Sequence, residues 1–153
     1  MTTYQMIART GAVLLVVLIA IQLLPKALNQ GRVSKDKDIS TVYPMPENVQ
    51  TIFKRSCYDC HSNHTEYPWY AHIQPVRYLM DRHVKQGKEV LNFNAYATYS
   101  SRKKAHKLES LETSLKDGSM PLPSYLLLHT DARLSPQEVT LVLGWLRGVK
   151  ATN

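Results

Sequence analysis

Cys57-Tyr58-Asp59-Cys60-His61 contains both cysteines of the chain, followed at once by a histidine. The spacing C-x-x-C-H is the attachment sequence for a c-type haem. Two thiols on one helical turn can each form a thioether with a vinyl group of the porphyrin. The adjacent imidazole then supplies one axial ligand to the iron, and a second must come from the opposite face. Other uses of C-x-x-C fit less well. A thioredoxin-like redox pair belongs in a βαβ unit, and the sequence offers none. A zinc site needs a further C-x-x-C or a histidine pair. A disulfide across two residues is strained.

The second iron ligand is expected to be Met120, in Gly118-Ser119-Met120-Pro121-Leu122-Pro123. A thioether sulfur is soft and suits haem iron, and a Met/His pair raises the reduction potential. The prolines after it stiffen the loop that would present it. His72 and His83 are the alternatives with enough intervening chain. His64 is excluded by reach, since three residues span only ~10 Å. Met80 falls on an apolar stripe and reads as a core residue, while His106 and His129 read as exposed or loop residues.

These residues need a scaffold, and the apolar periodicity points to an all-α one. Pro46 opens a helix in which Val49, Ile52, Phe53, Cys57 and Cys60 share a stripe. An aromatic, turn-rich loop from Asn63 to Pro75 follows, expected to pack over a haem edge. Pro75 opens a second helix with Val76, Leu79, Met80 and Val84 inward, broken at Gly87. Residues 90–101 read as loop with a turn of helix. A basic helix then runs from about Ser101 to Lys116, with Ala105, Leu108, Leu111 and Leu115 on one face. Ser135, Pro136 and Glu138 write a capping box for the last helix, whose stripe is Val139, Val142, Leu143, Leu146 and Val149.

The N-terminus is of another kind. Gly11 to Leu24 carries no charge. That run is short of the ~20 residues a spanning helix needs, and reaches that length only by including Arg9 and Thr10. Arg9 can snorkel to the headgroups. Leu23-Leu24-Pro25 lacks the small residues of a signal-peptidase site. The expected organisation is therefore an uncleaved signal anchor over 1–25, a polar tether over 26–45 and the haem domain over 46–153. Covalent haem attachment in bacteria is extracytoplasmic, which places that domain on the periplasmic side of the cytoplasmic membrane.

Lys and Arg number 19 against 12 acidic residues. Outside the cytoplasm, such a surface suits an acidic redox partner better than nucleic acid, or serves only to keep the domain soluble.

Cys-Tyr-Asp-Cys-His-Ser-Asn, Tyr67-Pro68-Trp69-Tyr70, Ile73-Gln74-Pro75-Val76, His83-Val84, Gly87 and Leu91-Asn92-Phe93 occur in order. With Met120-Pro121 and the stretch from Leu134-Ser135 to Trp145-Leu146, they resemble the bacterial haem-binding-domain family of small cytochrome-c-like proteins. The resemblance runs from about Pro46 to Gly148. It implies a monohaem, cytochrome-c-like helical domain attached through Cys57, Cys60 and His61, with Met120 in the family's Met-Pro turn. The expected function is a membrane-tethered carrier of single electrons, not an enzyme, with haem c as cofactor and no small-molecule substrate. A haem-based sensor, or a subunit of a larger respiratory or photosynthetic complex, is the alternative.

Overall fold

The computed structural model describes residues 2–25 and 27–152, and among them there are helices and loops but no strand. The all-α class expected from the sequence is the class found. A single β-bridge pairs Gln30 with His64.

Helix α1 spans Thr3–Gln22. It is longer than the uncharged run because its start is fixed upstream, where Thr2 and Gln5 form a reciprocal capping box. At 1.5 Å per residue it measures about 30 Å, close to the thickness of a bilayer's hydrocarbon core. It is one helix long and apolar enough to cross a membrane, and none of its residues is buried.

The stretch expected to be a free tether is instead part of the folded domain. Asn29 donates its amide to Ser62 O (3.0 Å) and Thr65 Oγ1 (2.9 Å), and Gly31 N reaches Asn63 O at 2.7 Å. A 3₁₀ turn over Lys35–Lys37 leads into α2 (Ile39–Val42), where Ile39 is fully buried. The polar look of this segment hid one core side chain and one buried acid, Asp38, which caps α2 through Ser40 N.

The haem-motif residues follow α3 (Glu47–Ser56) and lie in a separate turn, α4 (Tyr58–His61). The expected stripe through Cys57 and Cys60 is therefore broken. Cys57 has φ −129° and ψ −40°, outside helical geometry, so the chain changes direction at the first cysteine. Helix α5 spans Val76–Val90 and runs straight through Gly87. Its buried positions are Arg77 and Val84, while Leu79 faces solvent rather than the core.

Phe93–Thr98 forms a 3₁₀ turn, then α6 (Ser101–Lys116), the short α7 (Pro123–Leu126) and α8 (Pro136–Ala151) complete the domain. Ser135 and Glu138 cap α8 as the sequence predicts. The core gathers Ile52 and Phe53 of α3, Leu108 and Leu115 of α6, and Val142, Leu146 and Val149 of α8 around Phe93 and Tyr96. Arg55 reaches Glu138 at 2.7 Å, and Trp145 stands edge-on to Phe53 with ring centroids 5.5 Å apart. Both contacts fix the end of α3, and hence the motif, against α8.

Candidate functional site

The two residues between the cysteines orient the motif turn. Tyr58 donates its hydroxyl to Asp38 Oδ1 at 2.8 Å. Asp38 is buried, and also accepts from Ser40 N, from the Ser40 hydroxyl and, on its other oxygen, from Asn94 Nδ2 at 2.7 Å. A buried carboxylate with four donors is well satisfied and holds its neighbours in place. Asp59 is gripped on the other flank, by Tyr125 Oη at 2.9 Å and Glu66 N at 3.1 Å. The backbone after the motif is braced through Thr65, whose hydroxyl donates to Asp59 O.

His61 is held by its own second nitrogen. Nδ1–H donates to Leu91 O at 2.9 Å, which leaves Nε2 with its lone pair free. The ring lies 5.6 Å from that of Phe93, which also stacks on Tyr58 at 5.1 Å. Burial pulls His61 below the ordinary histidine value, offset in part by the Leu91 and Gly87 carbonyls. The imidazole is thus neutral at physiological pH, as iron ligation requires. Burial pushes the Cys57 thiol up to about 12 and that of Cys60 up to about 11. A reactive dithiol or a thiolate metal site needs the opposite shift. Among the described residues, no group of three or more His, Cys, Asp and Glu side chains is gathered to hold a metal ion.

Cys57, Cys60 and His61 open onto a cleft bounded by α5 and the Met120–Leu122 loop. It divides into cavities of about 210 Å³ and about 90 Å³ that share Cys57, His61, Val90, Met120 and Pro121. Together they reach the lower end of the ~300–1,000 Å³ typical of ligand pockets. The walls are largely apolar, with Val84, Val90 and Leu122 on one side and Leu111 and Leu115 on the other. Two thiols, an imidazole of fixed tautomer, a thioether and apolar walls are the donor set and lining that suit a haem. A larger groove of about 840 Å³ beyond Asp59 and Tyr125 is open and lined by Lys54, His64, Glu66 and Asp131, a poor match for a porphyrin face.

Met120 lies just past the turn that ends α6, where Gly118 takes φ +70°. Its amide reaches Ser114 O at 3.3 Å. Of the two alternative ligands, His83 also lines the larger cavity, as does Met80, which the sequence pattern assigned to the core. His72 does not line it: it is exposed at the end of the Trp69–His72 turn, its ring 6.2 Å from that of Tyr67.

Sequence reasoning missed several supporting residues. Asp38-Ile39-Ser40 carried a usable signal, an Asx cap beside an isolated isoleucine. His129, read as an exposed or loop residue, stacks on Tyr125 at 3.9 Å and meets Tyr70 Oη at 2.9 Å.

Gly87 does not break α5 as its helix propensity predicts; it serves a close approach. A Cβ there would stand 2.7 Å from Cys60 O and 3.3 Å from Cys60 Cβ. Gly87→Ala must push α5 off the motif turn, at a cost of about 1–3 kcal/mol. For a chain of this size that lowers Tm by roughly 2–4 °C per kcal/mol. Gly144→Ala and Gly148→Ala, where nothing lies within 4 Å of the added Cβ, should raise it through helix propensity. Thermal denaturation of the three variants checks the contrast.

A family model described as a haem-binding domain matches residues 16–148. Among curated proteins, the chain is 28% identical over 123 residues to the cytochrome c peroxidase Ccp of Escherichia coli (strain K12). That alignment covers 77% of this chain and 26% of the relative, so the chain spans about a quarter of that protein's length. No solved structure matches.

Proposed function

The chain belongs to the haem-binding domain family, and on that footing we propose that it is a c-type cytochrome mounted on the cytoplasmic membrane, carrying single electrons on its outer side. The observation that carries this reading is the shared cleft. Both thiols, the imidazole of His61 and the thioether of Met120 line it.

In this reading Cys57 and Cys60 would hold one haem covalently, and His61, through Nε2, and Met120 would be its iron ligands. The haem supplies a one-electron iron couple. Leu91 O fixes the His61 tautomer and ring plane, so the ligand does not swing between the two oxidation states. The apolar walls would limit water around the bound group and, with the thioether, would favour its reduced state. The chain's own groups thus set a potential and a fixed geometry. The basic surface suits an acidic redox partner. Helix α1 would hold the domain at the membrane, with covalent haem attachment placing it outside.

The relative's name raises peroxidase chemistry as a second reading, and a sensor of small ligands makes the same demand: an open iron position. Carbon monoxide separates these from transfer. The protein in detergent is expected to titrate as a single one-electron couple and, when reduced, to bind carbon monoxide slowly and incompletely. Rapid, complete binding would replace electron transfer with ligand binding as the function.

A further inference from the structure

Helix α1 is joined to the folded domain by direct bonds at its last turn. The Gln22 side chain bonds the Gln74 backbone in both directions, accepting from Gln74 N at 3.0 Å and donating to Gln74 O at 3.4 Å. Three residues on, Arg77 is only 1% exposed. Its guanidinium donates to the carbonyls of Leu24 (2.7 Å) and Pro25 (3.2 Å), capping the chain where α1 ends. Gln74 also accepts from Tyr78 N, so the first turn of α5 is set by the same residue.

The side chains around this junction are apolar and outward-facing. Ile73, Tyr78 and Leu79 are exposed by 46%, 60% and 51%, and Trp69, in the preceding turn, by 76%. Leu79 was expected inward by its spacing, yet the α5 face that carries it is turned away from the core. Arg82, Lys85 and Lys88, with the acids Asp81 and Glu89, line the groove that runs along Leu24, Pro25 and Ala27, three cations to two anions. A helix of about 30 Å that spans the hydrocarbon core puts Gln22 at its edge. Whatever is hydrogen-bonded to Gln22 then sits at headgroup level.

We propose that the segment from Trp69 to Leu79 is a membrane-interface face, seated in the headgroup layer and locked to α1 through Gln22–Gln74 and Arg77. The inference rests on α1 being a transmembrane helix. Aromatic and aliphatic side chains at this depth match the interfacial belt of membrane proteins, and the neighbouring Arg82 and Lys85 suit anionic headgroups. Helix α5 carries Tyr78 and Leu79 in its first turn and Met80, His83 and Gly87 further along the cleft wall. Seating that first turn fixes the height and direction of the cleft above the bilayer, where a flexible tether would leave both free.

The test uses the full chain in native membranes, with a photo-crosslinking benzophenone amino acid replacing Leu15, Ile73, Tyr78 or Leu141 in turn. Leu15 reports the span, and Leu141, exposed on α8, reports non-specific labelling. Irradiation followed by mass spectrometry should give lipid adducts at positions 15, 73 and 78 and none at 141. Adducts at 15 without any at 73 and 78, or equal labelling at 78 and 141, overturn the interface face while leaving the membrane helix standing. No adduct at 15 removes the membrane helix and the face with it. Gln22→Ala deletes both bonds to Gln74 from an exposed position and should lower the yield at 78, by up to about tenfold, with the yield at 15 unchanged. An unchanged yield at 78 would show that these bonds do not seat the face.

Discussion

Cys57→Ser together with Cys60→Ser is expected to yield a chain that carries no haem through a denaturing gel, where the unaltered chain stains for one. A serine hydroxyl matches a thiol in shape, though smaller, but does not form the thioether. What remains is His61 and the apolar walls of a cleft that is small for its ligand. Those contacts can retain haem in the folded protein but cannot hold it once the chain unfolds. Either single variant keeps one thioether, so its staining should fall without vanishing. Because burial keeps both thiols protonated at neutral pH, neither cysteine is suited to act as a thiolate in the folded cleft. Full staining of the double variant would show that the cysteines serve another end.

Met120→Ala is the second large effect. Loss of the thioether should abolish the weak sulfur-to-iron charge-transfer band in the red and lower the reduction potential. Axial ligation spans about 0.8 V across haem proteins, and exchange of a thioether for water or nitrogen is expected to shift it by on the order of 100 mV. The variant should also bind carbon monoxide rapidly when reduced. His83 lines the same cavity and supplies the control. His83→Ala should leave band and potential near those of the unaltered protein. If the band survives in Met120→Ala, the ligand is another sulfur, that of Met80 in the same cavity; if the unaltered protein lacks the band and the potential moves in His83→Ala, the distal ligand is His83. His72, exposed and outside the cleft, should be silent in both measurements.

The parts of this molecule that repeat a local rule were legible in the sequence. The α8 capping box needs only Ser135, Pro136 and Glu138, and α6 follows from Leu108 and Leu115 on one face. The motif was legible too, because thiol and imidazole chemistry is written in five consecutive residues. What escaped depends on contacts far apart in the chain. Asp38 looked like one charge among several in a polar stretch. Its role appears only when Tyr58 and Asn94 arrive to donate to it. Gly87 was read by its propensity, which disfavours helix. It sits within one because the neighbouring Cys60 carbonyl leaves no room for a side chain. The α5 stripe predicted a buried Leu79, yet the domain buries Arg77. Periodicity locates an apolar face without saying what it faces, and here the end of α1 claims one side of the helix. At α1, Arg9 interrupts the apolar run but not the helix.

The claim on which the rest depends is one haem held covalently at Cys57 and Cys60. Trypsin cuts after Arg55 and Arg77 and leaves the motif on a single peptide of residues 56–77. Mass spectrometry of that peptide, from chain purified out of native membranes under thiol-alkylating conditions, tests the claim directly. The expected mass is the peptide plus one haem, with neither cysteine alkylated. A peptide at its bare mass with two alkylated cysteines would contradict it.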